Sequence, residues 1–136
     1  MPARTFRLGS SVDDLSALAA FVEAFCGEQS IPDRASFHLG VVLEEVASNI
    51  VLHGFADGEA HEATVTLSRE GDSVRIDVVD DGPAFDPLST AAPDTTSALI
   101  DREVGGLGVE MMRKMTDSQT YRREDGRNRL TLVKRL

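Results

Sequence analysis

The chain is predicted to be α+β: a two-layer α/β sandwich with a mixed, mostly antiparallel sheet and helices on one face. Three observations predict it. Period-two runs that fit half-buried strands occur near the start, in the middle and at the end, and two long stretches between them show three- and four-residue apolar spacing. The resulting order is strand, two helices, two strands, loop, helix, two strands. With 136 residues and 41% hydrophobic content, the chain fits one domain over 1–136 built around one core.

Thr5-Phe6-Arg7-Leu8 alternates as an opening strand, and Ser10 or Ser11 can cap the helix that follows from about Val12 to Glu28. Leu15, Leu18, Ala19, Phe21, Val22 and Phe25 form its apolar stripe. Pro32 and Asp33 open a second helix reaching about His53, stopped by Gly54. Its sheet-facing residues are expected to be Leu39, Leu43, Val46 and Ile50. Runs at 63–69 and 73–80, joined by Glu70-Gly71-Asp72, make an antiparallel hairpin. From Pro83 to about Glu103 three prolines and scattered Ser, Thr and Asp predict a long loop with a short helical piece. A third helix at about 106–115 precedes strands near 119–123 and 129–134, which turn at Asp125-Gly126.

Composition narrows the function. A net charge of −9 disfavours direct nucleic-acid binding, and the basic stretch Arg122, Arg123, Arg127, Arg129, Lys134 and Arg135 reads as the solvated face of a hairpin. No run approaches the roughly 18 to 20 apolar residues that cross a bilayer, and the start lacks the apolar core of a secretory signal, so a cytoplasmic protein without a membrane partner is expected. The single cysteine, Cys26, reads as a small buried hydrophobe.

Glu45 and Asn49 stand one helical turn apart and project from one face of the second helix, where they can meet a single ligand. Alone, such a pair is ordinary helix surface. His38 lies two turns before Glu45 and His53 near the helix end; both read as structural groups, because the His-x-x-x-His spacing of helical zinc sites is absent. Asp80-Asp81-Gly82 ends a strand. There an aspartate can accept a hydrogen bond from an exocyclic amine while glycine allows a ring to approach the backbone. Gly105-Gly106-Leu107-Gly108 opens the third helix, where bare amide hydrogens suit phosphate oxygens. A P-loop, a dinucleotide fingerprint and the glycine-loop, strand-lysine and H-R-D set of the common protein kinases are all missing.

With these segments in this order the chain resembles the GHKL ATP-binding superfamily (the Bergerat fold), and within it the anti-sigma-factor serine kinases. The stretch 43–54 is similar to the family's asparagine box, Asp80-Asp81-Gly82-Pro83-Ala84-Phe85-Asp86-Pro87 to its first glycine box, and Gly105-Gly106-Leu107-Gly108 to its second, with an ATP lid at about 83–104. The resemblance implies ATP and Mg²⁺ as cofactors. It implies that Asn49 holds the metal, that Asp80 and Gly82 receive the adenine, and that Gly105, Gly106 and Gly108 contact phosphate. Glu45 takes the position of the catalytic base, and Thr131 is a further candidate to approach the adenine. Ala84 stands where many relatives have a second glycine, and Val104 where some have an arginine, with Arg102 out of register. The implied substrate is a STAS-domain anti-sigma antagonist, the implied second partner a sigma factor or similar regulator, and a homodimer is allowed. An ATP-binding module without transfer activity and a histidine-kinase-like fragment are the alternatives. The fragment ranks lower, since a neutral imidazole needs no base and no helical hairpin is present to carry the histidine.

Overall fold

The computed structural model describes residues 3–9, 11, 13–51, 61–89 and 109–136. Five strands, β1 (Arg4–Leu8), β2 (Ala63–Glu70), β3 (Ser73–Asp80), β4 (Ser118–Glu124) and β5 (Arg127–Arg135), form one sheet in the order β1-β2-β3-β5-β4. The expected mostly antiparallel sheet is antiparallel at every one of these pairings. Helices α1 (Asp13–Glu28), α2 (Asp33–Asn49) and α3 (109–115) make the second layer.

Turn chemistry sets the register. Gly71 at φ 62° closes β2 on β3, and Asp125 and Gly126 at φ 53° and 73° close β4 on β5, as a tight hairpin turn requires. Alternate residues Ala63, Val65 and Leu67 of β2, Val74, Ile76 and Val78 of β3, and Leu130 and Leu132 of β5 then fall on one buried face. Against them α1 packs Leu18, Val22, Phe25 and Cys26, and α2 packs Ala35, Leu39, Val42, Leu43 and Ala47. Each fully buried aliphatic or aromatic side chain contributes about 1.5–3 kcal/mol.

Two expectations shift. On α2 the buried stripe runs through Val42 and Ala47 as well as Leu39 and Leu43, while Val46 and Ile50 are only partly buried at its edge. The hairpin arginines also divide. Strand alternation leaves Arg122, Arg127 and Arg129 on the outer face, whereas Arg123 and Lys134 fall on the face of the helical layer, Arg123 donating to Gly82 O in the turn after β3 and Lys134 to His38 of α2.

The helix pair runs antiparallel along the strands. Ser11 caps α1, its Oγ accepting from Asp13 N at 3.1 Å, and the Asp14 carboxylate accepts from Gly9 N at 2.9 Å, so α1 starts at the sheet end where Leu8 pairs with Ala63 and Ala63 with Asp80. At the other end, Arg69 donates to Gln29 O in the α1–α2 connection, and Lys134 Nζ donates to His38 Nδ1 at 2.8 Å. From His38, α2 rises eleven residues, about 16 Å, back toward the Asp80 end. This return places the Glu45–Asn49 turn there.

Candidate functional site

The carboxyl end of β3 carries the most developed polar cluster among the described residues. Asp80, 8% exposed, and Asn128, 6% exposed, are register partners on β3 and β5, and both point into the helical layer in series with buried Val78 and Leu130. Asp80 Oδ1 accepts from Gly82 N at 2.9 Å, closing an Asx turn, and from Asn128 Nδ2 at 3.0 Å. A hydrogen bond to a buried charged group contributes about 1.5–3 kcal/mol. The other oxygen, Oδ2, has no partner among the described residues.

Asp81 behaves differently. It is exposed, and its Oδ1 accepts from Glu62 N and from His61 Nδ1, both at 3.1 Å. Strand alternation turns adjacent side chains to opposite sides, so only Asp80 of the two acids faces the helices.

Asn128 holds the chain beyond the turn as well. Its Nδ2 also donates to Pro83 O at 2.9 Å, and its Oδ1 accepts from Phe85 N at 3.1 Å and from the Tyr121 hydroxyl. Arg123 adds a bond to Gly82 O at 2.8 Å. Further along, Leu88 N donates to Asp86 Oδ1 at 2.8 Å, capping a 3-10 turn at Pro87–Ser89 that matches the short helical piece expected in the loop, and Arg113 of α3 donates to Leu88 O. Residues 82–88 are thus fastened to β4, β5 and α3.

Glu45 and Asn49 are both half-buried, and neither side chain has a hydrogen-bond or ion-pair partner among the described residues. Two half-buried polar groups on one helical turn, unpaired among the described residues, have hydrogen-bonding capacity that a ligand can take up. Expected as structural groups, the histidines divide: His38 is bonded to Lys134, and burial together with the charges of Lys134 and Arg34 holds its pKa below the usual histidine value. His53, Gly105, Gly106, Gly108, Arg102 and Val104 lie outside the described residues, as does most of the lid at 90–104. The described part of α3, 109–115, seats Val109 and Met112 in the core.

Thr131 is a correction. Its hydroxyl donates to Asp77 Oδ1 at 2.7 Å across β3–β5, on the sheet face opposite Asp80, so it does not approach the Asp80 site. Burial alone would raise the Asp77 pKa, but hydrogen bonds from Arg75 and Thr131 and the charges of Arg75 and Arg129 together hold it below the ordinary carboxylate value. Asn128, three residues earlier and on the inner face, takes the place at Asp80 that Thr131 was expected to share. A polar residue in the inward series with Leu130 and Leu132 was the available signal.

Cys26 is buried as expected, and burial raises its thiol pKa despite a hydrogen bond with Ser36. No described helix is long and apolar enough to cross a membrane.

Residues 8–134 match the family of histidine kinase-like ATPase domains. The chain belongs to that family. Within it the chain is 34% identical over 100 residues to the serine/threonine-protein kinase BtrW of Bordetella bronchiseptica, covering 74% of this chain and 70% of that protein. Its fold is similar to part of the structure of the RsbU and RsbW domains of Rv1364c from Mycobacterium tuberculosis, with a TM-score of 0.71 at 19% identity over 100% of this chain. The chain spans 33% of that longer protein. The SiaB–SiaC complex from Pseudomonas aeruginosa gives a TM-score of 0.62 at 16% identity, covering 98% of this chain and 89% of that one.

Proposed function

We propose that this chain is a Mg-ATP-dependent serine kinase that phosphorylates a STAS-domain anti-sigma antagonist, and that it alternates between that protein and a sigma factor or similar regulator. Kinase activity agrees with the name of the Bordetella relative. One observation carries the nucleotide reading: Asp80 is buried with one oxygen saturated by Gly82 and Asn128 and the other without a partner among the described residues, at the sheet end to which α2 returns Glu45 and Asn49.

The donor set fits the cofactor. A magnesium ion bound mainly by phosphate oxygens and water needs only one or two protein ligands, and the Asn49 amide, without a partner among the described residues, offers a carbonyl oxygen of that kind. Asp80 Oδ2 accepts from the adenine amine, and Gly82, without a side chain, admits the ring. The amides of Gly105, Gly106 and Gly108 are assigned to the phosphates by the second glycine box.

ATP supplies the transferable γ-phosphoryl group and Mg²⁺ offsets its charge. Glu45 lies one turn before Asn49, so its carboxylate stands beside the metal-holding residue. There it accepts the proton of the substrate serine hydroxyl as the oxygen–phosphorus bond forms and the bond to the departing ADP breaks. A half-buried carboxylate with no ion pair among the described residues is suited to this, since its oxygens are left to accept the proton. The site of action is the cytoplasm, where ATP is present.

The test is purified protein with Mg-ATP and a STAS-domain antagonist. Phosphoserine on the antagonist supports the reading. ATP binding without phosphoserine identifies a regulatory module instead.

A further inference from the structure

Every hydrogen-bonding valence of the Asn128 side chain is used. Its Nδ2 donates to Asp80 Oδ1 and Pro83 O, and its Oδ1 accepts from Phe85 N and the Tyr121 hydroxyl. A main-chain N–H can only donate and a main-chain carbonyl can only accept, so the amide cannot turn over without losing these bonds. Its orientation is therefore decided by its partners. Gly82 N, also donor-only, points at the same Asp80 oxygen at 2.9 Å.

We infer that Asn128 is a positioning residue for base recognition: together with Gly82 N it fixes the rotation of the side chain at position 80, so that one oxygen is held inward and the other is aimed at the nucleobase. This rests on the reading of Asp80 as the base-binding acid. With Oδ1 held by two fixed donors, Oδ2 selects a purine that carries an amine. A carbonyl in the same place would set acceptor against acceptor, both desolvated. Tyr121 and Arg123, bonded to Asn128 and to Gly82 O, brace the arrangement from β4.

The lock makes an unusual demand on the isosteric variant Asp80→Asn. Two fixed donors require the new side chain to present its carbonyl oxygen to Asn128 and Gly82, which sends its amino group toward the base. The preference should invert. Affinities of the full chain for ATP and for inosine triphosphate, which has a carbonyl where ATP has an amine, measure this by calorimetry. The native chain is expected to favour ATP by roughly a hundredfold, within the range over which an unmet buried polar group discriminates. Asp80→Asn is expected to favour inosine triphosphate by about tenfold, and in Asp80→Asn/Asn128→Ser the preference should shrink to within about threefold of unity, because only Gly82 N then holds the carbonyl oxygen inward.

A role for Asn128 in folding alone would lower the melting temperature and weaken both nucleotides equally. An unmoved ratio in the double variant, or an Asp80→Asn protein that still prefers ATP, overturns the inference. If the double variant does not fold, the single substitution decides. Should the native chain bind neither triphosphate, the nucleotide reading itself falls and takes this inference with it; binding of both with equal affinity overturns the inference alone.

Discussion

The Thr131 hydroxyl donates to Asp77 Oδ1 at 2.7 Å across the β3–β5 pair, on the sheet face turned away from Asp80. The bond joins two strands at the centre of the sheet without touching the candidate site. Thr131→Val is therefore expected to cost about 1 kcal/mol of stability by denaturant titration, with ATP affinity unchanged. A tenfold loss of affinity would return Thr131 to the nucleotide site.

The same contact has an acid signature. Because the native Asp77 pKa is depressed, its stabilising contribution is present above the unfolded carboxylate value, about 3.9, and is lost as pH falls through the lower native value. Removing the Thr131 donor moves the native value back up. The loss of stability on acidification should then be smaller in Thr131→Val than in the native chain, as followed by circular dichroism from pH 6 to pH 2.

His38 and Lys134 give a second pH dependence, higher on the scale. Lys134 donates to the neutral imidazole, and burial with two nearby cations lowers the His38 pKa. The unfolded chain thus binds more protons than the native one between the lowered native value and about 6.5, so stability is fully present above that pH and declines below it. The groups facing His38 are Lys134 from β5 and Arg34 on its own helix. Lys134→Met should weaken the decline between pH 7.5 and pH 5.5 in thermal melts; an identical slope would remove Lys134 as its cause.

Glu45 and Asn49 separate chemistry from binding. Glu45→Ala is expected to lower the rate of phosphoserine formation by 10²-fold or more, within the usual range for a positioned base, with ATP affinity within about twofold of native. Asn49→Ala is expected to weaken ATP at least tenfold with magnesium present and little in EDTA. Equal loss in both conditions would contradict a metal-holding role.

The sheet was readable because β2 and β3 alternate cleanly and because Gly71 marks the β2–β3 turn and Asp125-Gly126 the β4–β5 turn, so each strand lies within two residues of its expected bounds. Asp80 was readable for a local reason: an acid before glycine at a strand end. Asn128 was not singled out, because its role depends on bonds to Asp80, Pro83 and Phe85, more than forty residues away in the chain and joined to it only by the β3–β5 register. Thr131 was misplaced by one step of alternation. A single strand's pattern leaves both faces open when the outer one carries Thr and Val; the inward series of Leu130 and Leu132 assigns them.

The most direct measurement is a magnesium–adenylyl-imidodiphosphate titration followed by two-dimensional ¹⁵N–¹H NMR. The account predicts saturable shifts at the Gly82 main-chain amide and at the side-chain amides of Asn49 and Asn128, while Gln29, His38 and Lys134 at the far end of the sheet stay in place. Shifts confined to the His38–Lys134 end, or none at Gly82 and Asn128 under saturating nucleotide, would contradict it.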